Sequence, residues 1–174
     1  MQYLEVRRHS MRVKPGQHLS QEGVDLARRI GGDIGPFEFV ITSTLHRAYE
    51  TAIAMGFAVN DQLEELAQLG HGVEADVGGW DAGFAAYGQA YHRNGVTTDY
   101  ADQQMALWEM IAGSITEGGS ALLISHGGII EAGAIGCLPH GDHIAWGSAI
   151  SYCEGVRLHF DGSRFVQADI LRID

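Results

Sequence analysis

The sequence predicts an α/β domain, a three-layer α/β/α sandwich built on a mostly parallel central sheet. Three observations carry that expectation. Apolar runs of strand length alternate with segments of helical period through residues 2–56. The same strand-then-helix unit recurs at residues 120–138. The 174 residues contain no repeat, low-complexity tract or linker, so one domain spanning 1–174 with one substantial core is expected.

The elements follow in order. QYLEV (2–6) reads as a buried strand that ends at a basic cluster. LSQEGVDLARRIGGDIG (19–35) reads as a helix, with Ser20 as N-cap, apolar positions at Val24, Leu26, Ala27 and Ile30, and glycines to stop it. FEFVITS (37–43) is a second strand, and LHRAYETAIAMG (45–56) a second helix ended by Gly56. Between Leu69 and Thr98, seven glycines interrupt a stretch carrying Trp80, Phe84, Tyr87 and Tyr91. That composition suits either loops with short helices or a segment covering a pocket. YADQQMALWEMIAGSITEGG (100–119) is an amphipathic helix with Met105, Leu107, Trp108 and Ile111 on its apolar side. SALLISHGG (120–128) is a strand running into a glycine pair, and IIEAGAIGCL continues as helix. The C-terminal stretch reads as two or three strands with a hairpin at Asp161-Gly162.

Composition excludes several classes of function. The net charge of −11 repels nucleic acid and anionic membrane, so basic residues should form a local site rather than a broad patch. No apolar run approaches a membrane span, and the N-terminus reads as lacking a secretory leader. Cys137 and Cys153 lack metal-type spacing and read as reduced thiols of a cytoplasmic protein. Ten of the eleven basic residues are arginine, with Lys14 the exception; this suits bidentate anion binding, although base composition of the gene gives the same bias.

The chemistry concentrates at strand ends. VRRHSMR (6–12) sets Arg7, Arg8, His9 and Arg12 just past the first strand; His126 follows ALLIS in the same way. Arg47 lies beyond the second strand, in the first turn of its helix. Carboxyl ends of strands in such a sheet line one rim, where ligands bind. Two histidines and several arginines at equivalent positions can therefore converge on one anion. Other patterns lead nowhere: HGDH (140–143) lacks further metal ligands, no Gly-Lys-Ser/Thr phosphate loop is present, and Ser125 is not in Gly-x-Ser-x-Gly. Trp80, Trp108 and Trp146 read as core or pocket wall.

These residues carry a resemblance. Arg8-His9-Ser10 resembles the Arg-His-Gly motif of the histidine phosphatase superfamily, the phosphoglycerate mutase-like proteins. STLHRAYETA (43–52) is similar to that family's Ser-x-x-x-Arg-Ala-x-x-Thr-Ala segment, and LLISHGG (122–128) to its second His-Gly motif. The resemblance implies a phosphomonoester hydrolase without cofactor or metal, with His9 as nucleophile and Arg8, Arg47, His126 and Gly127 around the phosphate. Arg12 sits where some branches carry another arginine. QLEELAQLG (62–70) resembles the stretch holding the family's proton donor, which points to Glu65, with Glu64, Glu74 and Asp76 as competitors.

Physical chemistry gives each residue a task. Arginines offset the phosphate's charge, most strongly in the transition state, and their field helps keep His9 unprotonated and nucleophilic. His126, protonated, is expected to hydrogen-bond the phosphate, and the glycines after it let the backbone and a helix N-terminus approach the anion. Ser10 stands where glycine is usual, so a backbone cost of about 1 kcal/mol follows if glycine is needed for positive φ or space. The asparagine common in mutase-like members is missing among Val13, Lys14 and Pro15, which leans away from a mutase. The expected partner is a small phosphorylated substrate. A phosphohistidine-bearing protein is the alternative, as is a phosphate-ester-binding domain weakened in turnover; nucleic acid and membrane are excluded, and the chain is expected as monomer or homodimer. Residues 71–98 are expected to govern substrate choice.

Overall fold

The structure, a computed structural model, describes all of residues 1–174. Six strands form one sheet: β1 (Gln2–Arg8), β2 (Phe39–Ser43), β3 (Asp61–Leu63), β4 (Ser120–Ser125), β5 (Gly155–Phe160) and β6 (Phe165–Leu171). Their order is β3-β2-β4-β1-β5-β6. The first four run parallel, whereas β5 is antiparallel to β1 and β6 to β5. The expected mostly parallel sheet forms, and the C-terminal hairpin adds two antiparallel strands at one edge.

Alternation along the strands explains the three layers. Leu122 and Ile124 of β4 point to one face with Val40, where they meet Ala27, Ile30, Ala48, Ala52 and Met55. Those partners come from α1 (Gln21–Gly31) and from α2 (His46–Ala54) with the residue that ends it. Ala121 and Leu123 point the other way, with Leu4, Val6 and Ile41, into a larger core. That core is closed by α3 (Val73–Val77), α4 (Phe84–Tyr91), α5 (Val96–Gly113) and α6 (Ile129–Cys137), with α7 (His143–Trp146) beyond. Strand β4 has helices on both faces, so it reads as a continuous apolar run. Trp108 of α5 is fully buried, and a side chain of that size contributes roughly 3–5 kcal/mol against truncation to alanine.

Several boundaries differ from the sequence expectation. Ser20 caps α1 as anticipated, accepting from Gly23 N–H at 3.1 Å, but the helix stops at Gly31. Helix α5 begins at Val96 and ends at Gly113; its buried face already starts with Thr97, and Tyr100, Ala101 and Gln104 precede Trp108 on it. Met105 and Leu107 lie only partly buried beside this face. Strand β3 was not anticipated, because three residues are too short to show a period. The stretch from Leu69 to Thr98 holds two short helices and connecting turns, so of the two readings it satisfies the first throughout and the second at one residue, Trp80. The C-terminal hairpin forms as expected, with Asp161 Oδ1 accepting from Ser163 N–H and Arg164 N–H. Both cysteines are buried and unpaired. No helix is long and apolar enough to cross a membrane.

Candidate active site

Sheet order brings the strand-end residues together. Strands β1 and β4 are parallel neighbours with Arg8 opposite Ser125, so His9 and His126 leave the sheet side by side, their rings 5.1 Å apart. Strand β2 flanks β4 on its other side, and the helix that follows it delivers Arg47 to the same rim. The result is a cavity of about 310 Å³ lined by Arg8, His9, Arg12, Lys14, Arg47, Trp80, His126, Gly127 and Tyr152. All the basic residues assigned to the site from the sequence meet there. No carboxylate lines it.

Hydrogen bonds fix the tautomer of His9. Its Nδ1 lies 2.7 Å from the Ser10 carbonyl oxygen, which can only accept, so Nδ1 carries the proton. Arg47 Nε donates to the other ring nitrogen, Nε2, at 3.2 Å, which requires a lone pair there. His9 is 5 % exposed, and its pKa is pushed down to about 2 by burial first and then by His126 and the arginines. The ring is therefore neutral with its lone pair facing the cavity.

His126 differs from expectation. Burial, then Arg47, Arg8 and Arg12, lowers its pKa to about 3, so among the protein's own charges it is neutral rather than protonated. It can still donate. Ser43 Oγ, which accepts Leu45 N–H, lies 2.7 Å from His126 Nε2, and its hydroxyl can donate or accept there. When the hydroxyl donates, the imidazole proton is on Nδ1, a buried atom with no partner in the protein. A phosphate oxygen supplies that partner, and its charge pulls the imidazole pKa back up.

The arginines are held individually. Arg8 Nη1 donates to Ile150 O at 3.1 Å, and its guanidinium carbon lies 4.4 Å from the Tyr152 ring centroid and 5.1 Å from that of Trp80. Its Nε is buried and unpartnered. Burial lowers its pKa; Tyr152, Glu131 and Asp81 oppose this. Arg47 is lowered by burial, Arg12 and Arg8, with Tyr152 opposing, and its Nη1 donates to Gln17. Arg12 Nη1 donates to Pro15 O and Gly16 O, which folds the loop bearing Lys14 against the cavity. Lys14, noted in the sequence as the single lysine and as part of a departure from mutases, is a lining residue.

Small residues shape the floor. A Cβ at Gly127 would lie 2.5 Å from Trp80 Cζ3, so only glycine lets that ring cover the site. Gly128 has φ +86° and gives its N–H to Glu131 Oε2 at 2.7 Å, so that donor serves helix capping and not the anion. Ser10 carries no strain: its φ is not positive, its N–H donates to Thr51 Oγ1, and its hydroxyl donates to Gly23 O at 2.7 Å. The cost expected for serine does not arise.

Glu65 is not brought to the cavity. Strand β3 ends at Leu63 and a single 3₁₀ turn, Glu64–Leu66, leaves Glu65 exposed in a separate cleft with Gln68, Tyr100 and Gln104. The turn is pinned there, since Gln104 Nε2 donates to Glu65 O at 2.7 Å. Glu64 accepts from Thr44 Oγ1 and Gln68, Asp76 from Thr97 and Arg93, and Glu74 lines a third cleft. No cluster of three or more histidine, cysteine or acidic residues is arranged to hold a metal. In HGDH, Asp142 caps α7, His143 bonds Leu138 O and His140 stacks on His92.

Trp80 was legible as a wall, but Tyr152 was missed. It sits in an irregular loop before β5 and follows no strand, so only its proximity in the fold identifies it.

No curated protein matches the chain in sequence. Among solved structures, it is similar to phosphoserine phosphatase from Entamoeba histolytica in complex with 3-phosphoglyceric acid (TM-score 0.72, 16% identity, 99% of this chain and 98% of that one). It is similar also to mycobacterial glucosyl-3-phosphoglycerate phosphatase with VO3 (0.67, 20%, 97% and 98%) and to phosphoglycerate mutase from Thermus thermophilus (0.62, 22%, 99% and 99%). At these identities the likeness shows the fold. The family's own sequence profile matches residues 5–170, from the middle of β1 to the end of β6, and by that match the chain belongs to the histidine phosphatase superfamily, branch 1.

Proposed function

We propose that this chain hydrolyses small phosphate monoesters through a phosphohistidine on His9. The observation that carries the reading is the pair of contacts that leave His9 Nε2 with its lone pair toward a cavity of arginines. In the first step Nε2 attacks phosphorus and the P–O bond breaks, its electron pair leaving with the alcohol oxygen. Water then attacks the phosphohistidine, and the P–N pair returns to Nε2. Arg8, Arg12 and Arg47 offset the charge on the non-bridging oxygens, and His126 Nδ1–H donates to one of them. Gly127 gives the phosphate room beneath Trp80.

Two structural relatives are named as phosphatases, which supports hydrolysis over transfer, as does the missing asparagine near Lys14. Neither metal nor cofactor enters the scheme, since arginines supply the charge. The basic cavity in a chain of net charge −11 favours a compact anion over nucleic acid or membrane. We place the protein in the cytoplasm, as monomer or homodimer. The satisfied, unstrained Ser10 speaks against a domain weakened in turnover. One observation favours a phosphohistidine protein as substrate: no carboxylate lines the cavity, and protonated histidine leaves without a carboxylic acid's help.

The test is hydrolysis of p-nitrophenyl phosphate together with trapping of an acid-labile, base-stable phosphoenzyme. His9→Ala should abolish both. His126→Ala and Arg47→Ala should each lose about 10²–10³ in rate. Wild-type turnover in His9→Ala refutes the mechanism.

A further inference from the structure

An alkoxide is a poor leaving group, so hydrolysis of an alkyl phosphate needs a proton at the ester oxygen. None of the carboxylates suggested by the sequence reaches the cavity, and Glu131 is already occupied by two backbone N–H groups. Of the nine lining residues, six carry arginine, lysine or histidine side chains, and two are Trp80 and Gly127. The ninth is Tyr152, a neutral group with a proton to give.

Its placement suits the task. The ring is 5.9 Å from that of His9, and 4.4 Å from the Arg8 guanidinium carbon. Tyr152 lines the same cavity as Arg8, Arg47 and the nucleophilic His9.

Resting on the phosphohistidine reading above, we propose that Tyr152 is the acid–base group of this site. As His9 Nε2 bonds to phosphorus and the P–O bond breaks, the Tyr152 hydroxyl passes its proton to the departing oxygen and becomes a phenolate. In the second half the phenolate takes a proton from the attacking water. The P–N bond breaks to Nε2, and inorganic phosphate and the phenol are restored. The carboxylate expected at Glu65 is replaced by a phenol from the opposite wall.

The experiment compares Tyr152→Phe with wild type in kcat/KM on an alkyl phosphate and on p-nitrophenyl phosphate, with phosphoenzyme trapping on each. The phenylalanine ring keeps its place over Arg8. The alkyl ester should lose at least a hundredfold and the activated ester less than fivefold, with Asp81→Asn, the carboxylate beside Trp80, unchanged on both. Equal loss on both esters, or loss on neither, overturns the role of Tyr152, as does selective alkyl loss in Asp81→Asn. If Tyr152→Phe fails to fold, fluorotyrosine at 152 keeps the shape with a more acidic phenol. It should move the basic limb of the alkyl pH profile downward, set against the charges of Arg8, Arg12, Lys14, Arg47, His9 and His126 that face it. An unmoved limb overturns the proposal. Absence of both turnover and phosphoenzyme in the wild type removes the His9 reading and this proposal with it; an intact phosphoenzyme with unselective loss removes Tyr152 alone.

Discussion

Replacing Glu131 by glutamine tests how the site is held. Glu131 is fully buried in the first turn of α6; burial raises its carboxyl pKa, outweighing the N–H donors and Arg8 that pull it down. Its Oε2 accepts Gly128 N–H at 2.7 Å and its Oε1 accepts Ile150 N–H at 2.8 Å. Ile150 in turn accepts from Arg8 Nη1, and Tyr152 is two residues on. Glutamine keeps the volume but offers one acceptor oxygen, so its NH₂ must face a backbone N–H. One buried donor is orphaned at about 1–3 kcal/mol, and the surviving bond loses its charge assistance at about 1 kcal/mol more. The expected loss is about 3 kcal/mol, or a Tm lower by about 6–12 °C for a chain of this size. Urea unfolding followed by tryptophan fluorescence reads it as a lower midpoint at unchanged slope. kcat/KM should also fall, because the loop steadying Arg8 loosens. A loss below about 1 kcal/mol with normal kcat/KM refutes the reasoning.

Two further outcomes follow from the cavity. The pKa values of His9 and His126 are lowered from 6.5 to about 2 and about 3, so below pH 6.5 the unfolded chain binds more protons than the folded one. Stability should therefore fall as pH drops from 6.5 towards 3, by up to about 1.4 kcal/mol per pH unit for each imidazole, and His126→Asn should flatten the slope. Denaturant midpoints across that range check it, and a flat profile contradicts the buried neutral pair. Gly127→Ala drives a methyl to 2.5 Å from Trp80 Cζ3, so the indole must move off Arg8. KM for a phosphate ester should rise about tenfold, with about 1–3 kcal/mol of strain; unchanged kinetics would separate the Trp80 seat from phosphate binding.

Of residues 71–98, Trp80 lines the site, its carbonyl accepting from Tyr87 Oη at 2.9 Å, and Asp81 acts on Arg8. Tyr87 itself is fully buried, so it acts by seating Trp80 rather than by touching a substrate. Within the segment expected to select substrates, Trp80 is the side chain at the cavity wall. Glycine and aromatic content marked the stretch as unusual, but which ring turns inward depends on packing against α6.

What the sequence determined by itself is local and periodic. Strand and helix alternation set the fold class, and Arg8, His9, Arg47 and His126 were recognisable because each lies at or just past the end of a strand, where chemistry in such sheets collects. Ser20 as a cap and Asp161-Gly162 as a hairpin turn were legible because side chains there bond their own backbone neighbours. Tertiary structure decided the rest. Parallel pairing of β1 with β4 in one register set the two histidines ring to ring, and no local pattern encodes that register. Glu65 matched a motif, yet a 3₁₀ turn bound to Gln104 faces it elsewhere. Tyr152 matched none, yet the loop anchored on Glu131 and Arg8 carries it to the cavity. A motif fixes residue types along the chain, whereas direction into a shared cavity is set by long-range hydrogen bonds and packing.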